Sequence, residues 1–248
     1  MTASAITAIC FDLDGTLLRD DHIDGVVRRV CATLAKDDAR IDAEQLAEAN
    51  RRAWWEGWPE IGDDWMTGRV AADAAHRAAW QHALADLGVH DEAVVRRAVD
   101  LNRAEEFAVF ELYPEALEVL TDLRSDANLR LALITNGPSA QQRSKLTAIG
   151  IDDLFDAVIV SAEIGVAKPH PAIFTAALDA IGARPEHAVH IGDNLEADIA
   201  GAAAARVRSV WVDRHGASTS APIAGRPDHV ISDLRVLPEL LRTLPGAR

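Results

Sequence analysis

Two hydrophobic rhythms divide the chain. At its start an apolar run (Ile6, Ala8, Ile9, Cys10, Phe11) stops at Asp12. A short apolar run bounded by turn residues reads as a buried β-strand. After Leu18 the rhythm changes. Across residues 20–110 apolar positions recur at helical spacing, as in Val26, Val27, Val30 and Leu34, with no good strand pattern. A second helix takes in Leu46, Ala47, Trp54 and Trp55, and Gly57, Pro59 and Gly62 are expected to break it. The Ala-rich segment 65–87 ends at Gly88, a good C-terminal stop, and a further helix covers about 91–107.

From Tyr113 onward strands and helices alternate. Pro114 opens a helix reaching Leu123. Apolar strands follow at 129–134, 157–160, 188–191, 209–212 and 229–231, separated by helices at 139–149, 171–181 and 195–205. Gly150 and Gly182 stop the first two of those helices, a loop rich in Gly, Ser, Thr and Pro covers 215–227, and a last helix covers 234–244. This alternation predicts an α/β fold: a Rossmann-like parallel sheet covered by helices on both faces. The first strand belongs to that sheet, so the helical block interrupts it. The expected organisation is a core domain from residues 1–18 and 112–248, with an inserted all-helical cap domain over 19–111.

Charge narrows the partners. The chain of 248 residues carries 25 Lys and Arg against 39 Asp and Glu, a formal net charge of −14. That argues against nucleic acid or an anionic membrane as the main partner, since both need a basic footprint. A small phosphorylated substrate is still allowed, because a metal and a few local cations outweigh the global field. Cys10 and Cys31 are the only cysteines, so neither a disulfide framework nor a zinc spacing exists. No signal peptide and no membrane-length apolar run is visible, and a cytoplasmic protein is expected.

In a parallel sheet, ligands bind at the carboxyl ends of the strands. Four stretches fall there. Asp12-Leu13-Asp14-Gly15-Thr16 follows the first strand, Thr135-Asn136-Gly137 the second, Lys168-Pro169 lies in the loop after the third, and Gly192-Asp193-Asn194 follows the fourth, with Asp198 five residues beyond Asp193. Each alone has a bland reading, as a turn, a solvated lysine or a helix cap. Together, in order and each after a strand, they describe a phosphoryl-transfer site. Asp12 and Asp193 supply carboxylate oxygens for Mg²⁺. An oxygen of Asp12 remains free to attack phosphorus. Asp14 protonates the leaving alcohol and then takes a proton from water. The Thr135 hydroxyl and the Asn136 or Gly137 N–H hold phosphate oxygens, Lys168 adds positive charge, and Asp198 orients Lys168 or a metal-bound water.

These motifs, with the helical insert directly after the first, resemble the haloacid dehalogenase-like (HAD) superfamily of hydrolases, in its subfamily with a helical cap between motifs one and two. The resemblance covers essentially the whole chain. It implies Asp12 as nucleophile, Asp14 as general acid/base, Thr135 and Lys168 as phosphate and nucleophile stabilisers, and Asp193 as metal ligand. It also implies the main-chain carbonyl of Asp14 as a further magnesium ligand, Gly15, Asn194 and Asp198 in support, and a small phosphorylated metabolite as substrate. The dehalogenase branch needs no magnesium and typically lacks the second aspartate of motif one, so Asp14 with Asp193 favours phosphate. A phosphonate-cleaving relative uses a cap lysine, and only Lys36 lies in this insert. A phosphomutase keeps the phosphatase motifs and differs in cap residues. A non-catalytic binding protein on this fold is expected to have lost a nucleophile or a metal carboxylate, whereas Asp12, Asp14, Lys168 and Asp193 are all present. Arg19 and His22, early in the insert, either reach the site or are solvated. Trp54, Trp55, Trp58, Trp65 and Trp80 either line a substrate pocket or form cap core or an interface between two copies in a homodimer. Residues 17–20 and 111–114 are the expected hinges.

Overall fold

The computed structural model describes residues 6–216 and 225–244. The middle of the 215–227 loop therefore lies outside the described residues. Strand β1 (Ala8–Phe11) is followed by four helices, α1 (Ile23–Asp37), α2 (Ala43–Met66), α3 (Ala74–Asp86) and α4 (Glu92–Phe107). Then come α5 (Ala116–Ser125), β2 (Arg130–Thr135), α6 (Ser139–Ile149), β3 (Ala157–Val160), the single turn α7 (Ser161–Ile164) and α8 (Pro171–Ala180). Strand β4 (Ala188–Gly192), a π-helical segment (Leu195–Ala200) running into α9 (Gly201–Ala204), β5 (Arg208–Val212), β6 (His229–Ile231) and α10 (Leu237–Thr243) complete the order.

All six strands are parallel, in the order β3-β2-β1-β4-β5-β6. Strand β1 is therefore central, and its carboxyl end is flanked by those of β2 and β4. Its side chains alternate between faces, as the period of a strand requires. Ile9 and Phe11 pack with α5, α10 and Leu146 of α6, whereas Ala8 and Cys10 pack with Ile173, Phe174 and Ala177 of α8 and with Ala202. Helices α1 to α4 enclose a separate core around Leu46, Trp80, Leu84 and Val95. The segments entering and leaving this block pair with each other: Leu18 bridges Leu112, Arg19 N–H donates to Glu111 O at 2.9 Å, and Tyr113 N–H donates to Leu17 O at 2.9 Å. Among the described residues no helix is long and apolar enough to cross a membrane.

One expectation about this block is corrected. Helix α2 runs unbroken through Gly57, Pro59 and Gly62. Proline's missing N–H and glycine's flexibility are penalties that tertiary packing can outweigh. Here Trp58 stacks on Trp54 (ring centroids 5.7 Å apart) and meets Trp65 edge-on (5.8 Å), contacts that only a continuous helix aligns. Gly62 belongs to this packing, since a Cβ there would lie 2.7 Å from the Trp58 ring.

Candidate active site

The site starts at the turn after β1. Asp12 N–H donates to Ile191 O at 2.9 Å, so the chain leaves the sheet still paired to β4. It then curls back, with Leu17 and Leu18 N–H donating to Leu13 O and Gly15 N–H to Leu18 O. Gly15 is required twice over. Its φ is +82°, and a Cβ there would lie 2.5 Å from Asp193 Oδ2. The turn is pinned from outside by Arg214, which donates to Thr16 O (2.8 Å) and Glu115 Oε1 (2.7 Å) and stacks 3.4 Å from the Tyr113 ring centroid.

Buried charges are paired in sequence along the strand edge. Lys168 Nζ lies 2.5 Å from Asp12 Oδ1 and 2.7 Å from Asp198 Oδ1, with all three side chains nearly excluded from solvent. Burial alone would lower the Lys168 ammonium, but the two carboxylates outweigh it and hold it above its ordinary value, firmly charged. Asp198 also meets His190 Nε2 at 2.9 Å and accepts from Asn194 N–H at 3.0 Å. These partners overcome its burial and hold it ionised, well below the usual carboxylate range. The π-helical turn creates this placement: Asp198 and Ile199 N–H both donate to Asn194 O, while the Asn194 side chain caps Glu196 and Ala197 N–H. Gly192 makes room for it, since a Cβ there would collide with Asp198 Cγ.

One lysine cannot neutralise three carboxylates. Burial pushes Asp12 up, and the charges of Asp198 and Asp193 add to that against the pull of Lys168. Burial and the charge of Asp198 likewise push Asp193 up to about 6. Asp12, Asp193 and Asp198 offer carboxylate oxygens within 4.8 Å of one another, a set that could hold a metal ion. Asp198 has both oxygens engaged. Asp193 accepts from Thr16 Oγ1 on Oδ1 (3.0 Å), its main-chain carbonyl accepts from Trp211 Nε1 (2.8 Å), and its carboxyl lies within hydrogen-bond reach of that of Asp12. Hard oxygen donors carrying unneutralised charge fit a hard dication.

Asp14 points to the other side. Lys145 Nζ bonds both of its oxygens (2.7 and 2.9 Å), and Gln142 Nε2 lies 3.0 Å from Oδ2. Burial raises the Asp14 carboxyl, but Lys145 and Gln142 together bring it below its ordinary value. Gln142 Nε2 is also 2.9 Å from Thr135 Oγ1 and 2.6 Å from Asn136 O, so its two protons are shared among three acceptors. The Thr135 hydroxyl proton is left to donate elsewhere. Gly137 N–H donates to Ser161 Oγ at 2.9 Å. The Asn136 side chain holds the Lys168 backbone from both sides, accepting from its N–H (2.9 Å) and donating to its carbonyl (3.0 Å).

The structure thus brings Asp12, Asp14, Gly15, Thr135, Lys168, Asp193, Asn194 and Asp198 to one strand edge, and uses Asn136 and Gly137 to fasten neighbouring loops. Four residues escaped the sequence reading: Gln142, Lys145, His190 and Arg214. A signal existed for two of them. Gln142 and Lys145 stand three apart on the helix after Asn136-Gly137, hence on one face, and Lys145 is one of only three lysines. Arg19 is paired with Asp21 and Glu111, and His22 lies edge-on to Phe110.

The helical block closes over Asp14. A cavity of about 280 Å³ opens beside it, walled by Trp54, Trp65, His76, Glu106 and Phe110 among others. The tryptophans therefore divide. Trp80 is buried in the block's own core, Trp54 and Trp65 wall the cavity, Trp58 lies packed between those two, and Trp55 is 73% exposed. Helix α2 also touches the strand edge directly, since Ser161 Oγ donates to Met66 O and Asn136 Nδ2 lies 3.7 Å from Met66 Sδ.

Comparison with known proteins agrees with this arrangement. A haloacid dehalogenase-like hydrolase family model matches residues 6–206. A phosphoserine phosphatase from Thermus thermophilus is 35% identical over 92% of this chain and 96% of its own length. A glyceraldehyde 3-phosphate phosphatase from Methanopyrus kandleri is 32% identical over 84% of each chain. Among solved structures, a 2-haloacid dehalogenase from Pseudomonas syringae pv. Tomato DC3000 superposes with a TM-score of 0.68 at 27% identity, covering 96% of this chain and 98% of that one. The chain belongs to the haloacid dehalogenase-like hydrolase family.

Proposed function

We propose that this hydrolase is a Mg²⁺-dependent phosphomonoesterase acting on a small phosphorylated metabolite through an aspartyl-phosphate at Asp12. The observation that carries the reading is the pair of carboxylates after β1 facing different partners. Asp12 has one oxygen on Lys168 and its carboxyl beside that of Asp193. Asp14 is held by Lys145 and Gln142 on the wall of the cavity. A haloacid dehalogenase has use for the first carboxylate but not for an acid/base partner that must protonate an alcohol. The phosphatase names of the relatives point the same way.

In this reading an oxygen of the Asp12 carboxylate attacks phosphorus while the bond to the ester oxygen breaks. Asp14 has to enter this step protonated, against the pull of Lys145; it delivers that proton to the departing alkoxide, and the restored ion pair with Lys145 favours the release. Asp14 then accepts a proton from the water that attacks the aspartyl-phosphate, which frees inorganic phosphate and restores Asp12. Lys168 and the Thr135 hydroxyl, with the main-chain N–H of Asn136, stabilise charge on the transferring group. Asp12, Asp193 and the main-chain carbonyl of Asp14 would hold Mg²⁺, which when bound would offset the repulsion among carboxylates and phosphate. Residues 19–111 act as a cap domain that selects the leaving group and excludes water. The test is phosphate release from an aryl phosphate and a panel of phosphorylated metabolites, with Mg²⁺ or with chelator, alongside halide release from 2-haloacids. Metal-dependent phosphate release without halide release supports the reading; the reverse pattern replaces it with dehalogenation.

A further inference from the structure

We propose that the cavity beside Asp14 takes the leaving group of an amino-alcohol phosphate, with its protonated amine held by Glu106 among Trp54, Trp65 and Phe110. The inference deepens the phosphatase reading and rests on it for the position of the leaving group, because Asp14 stands in the cavity wall.

Glu106, in the last turn of α4, is four-fifths buried by its side chain's 19% exposure, yet only one of its oxygens is used. Oε1 accepts from Asn102 Nδ2 at 2.8 Å and lies 3.2 Å from His76 Nε2. Among the described residues none donates to Oε2. Burial raises this carboxyl, but His76 and Asn102 outweigh it and keep it ionised. Oε2 stays open to the cavity and to solvent, where an entering ammonium displaces water and gives the charged oxygen a donor. No cation of the cavity itself does so. Lys145 is committed to both oxygens of Asp14, and Arg19 is committed to Asp21 and Glu111. The Trp54 and Trp65 rings attract an ammonium further, while the Phe110 ring already meets Lys145 Nζ at 6.0 Å from its centroid. The same geometry disfavours a leaving group ending in a carboxylate, which would meet Glu106 and find no unpaired lysine or arginine.

Calorimetric titration of the full chain carrying Asp12→Asn, with Mg²⁺ present, reads the subsite without turnover. The probes are 2-aminoethyl phosphate, n-propyl phosphate and phosphoglycolate. The amine ester is expected to bind at least ~10-fold more tightly than the propyl ester, with phosphoglycolate weakest. Adding Glu106→Gln should bring the amine-to-propyl ratio to within about threefold of one. Phe110→Leu, which keeps apolar volume, should reduce the ratio by about threefold, and it reads the subsite should Glu106→Gln unfold. Equal binding of the amine and propyl esters, or tighter binding of phosphoglycolate, overturns the proposal. The wild-type chain separates the two layers. Aryl phosphate turnover with no amine preference sinks the subsite and leaves the phosphatase standing. Amine-selective binding that Glu106→Gln removes, with no ester hydrolysed, keeps the subsite and sinks the phosphatase.

Discussion

The strand edge and the helical block above it place charge by opposite means. At the strand edge Lys168, Asp12, Asp198 and His190 are buried, and each is held by a named partner at hydrogen-bond distance. In the helical block the ion pairs lie outside: Arg28 with Asp24 and Glu44, Arg51 with Asp24 and Glu48, Arg52 with Asp86. Exposed pairs of that kind contribute about 0–1 kcal/mol each. What the block turns inward is aromatic surface and one pair, Glu106 with His76. The contrast separates two tasks. A reacting group has to be preorganised, so its position is over-determined. A leaving-group pocket has only to fit one partner, so its walls can vary while the chemistry beneath stays fixed.

The largest expected effect breaks the strand edge at its reacting atom. Asp12→Asn keeps shape and removes the nucleophile, and should lower kcat/KM for any phosphate ester by at least ~10³-fold, about 4 kcal/mol of transition-state stabilisation. Near-wild-type phosphate release would remove the covalent route. Next is Lys168→Met, which leaves Asp12 and Asp198 buried beside each other without their shared cation. Removing one member of a buried ion network typically costs ~3–5 kcal/mol. Urea denaturation should show that loss, and a change below ~1 kcal/mol would mean that the three groups are far better solvated than their burial indicates.

Asp193 tests whether the strand edge is built for a cation. Its carboxyl is pushed up to about 6 from an ordinary value of 3.8. A carboxyl raised by folding stabilises the fold fully below its unfolded value and loses that contribution as pH rises through its folded value. In chelator, the wild-type chain should therefore lose stability relative to Asp193→Asn between about pH 4 and pH 6, by of the order of 2–3 kcal/mol. Mg²⁺ should restore the wild type above pH 6 and do little for the variant. Thermal melts over pH with and without Mg²⁺ read this directly. A difference between wild type and variant that stays flat across this range would detach Asp193 from the metal.

What the sequence reveals follows the same division. Asp12, Asp14, Thr135, Lys168 and Asp193 are legible because each follows an apolar strand, and a parallel sheet brings strand ends to one edge whatever their separation in the chain. The shared helix face of Gln142 and Lys145 is a local signal, but it does not name their partner Asp14, which lies 128 and 131 residues away. His190 hides inside the apolar run of β4, and its partners Asp198 and the Phe174 ring are brought to it only by the fold. In the helical block, local rules mislead outright: Gly57, Pro59 and Gly62 read as a break, yet the stacking of Trp54, Trp58 and Trp65 keeps α2 whole. Which tryptophan faces the cavity depends on four helices meeting, and periodicity within one of them does not encode it.

The smallest effects sharpen the comparison from the helical side, where neighbouring tryptophans have different jobs. Trp58 supports Trp54 and Trp65, the two that wall the cavity, through ring contacts of 5.7 and 5.8 Å. Trp58→Ala removes both contacts, for about 1–3 kcal/mol of stability at ~0.5–1.5 kcal/mol per aromatic pair. It should also alter the ranking of substrates more than turnover of a small aryl phosphate, because the walls move while Asp12 and Lys168 do not. Trp55 is its neighbour by three residues but is 73% exposed and has no ring partner among the described residues. Trp55→Ser should therefore stay within ~0.5 kcal/mol of wild type by urea denaturation and leave the substrate ranking unchanged. If the two substitutions shift selectivity equally, the tryptophans act as undifferentiated apolar mass and the wall has no geometry of its own. If only Trp58→Ala shifts it, the pocket is shaped by a residue that need not touch the substrate, and its specificity is spread through the packing of α2.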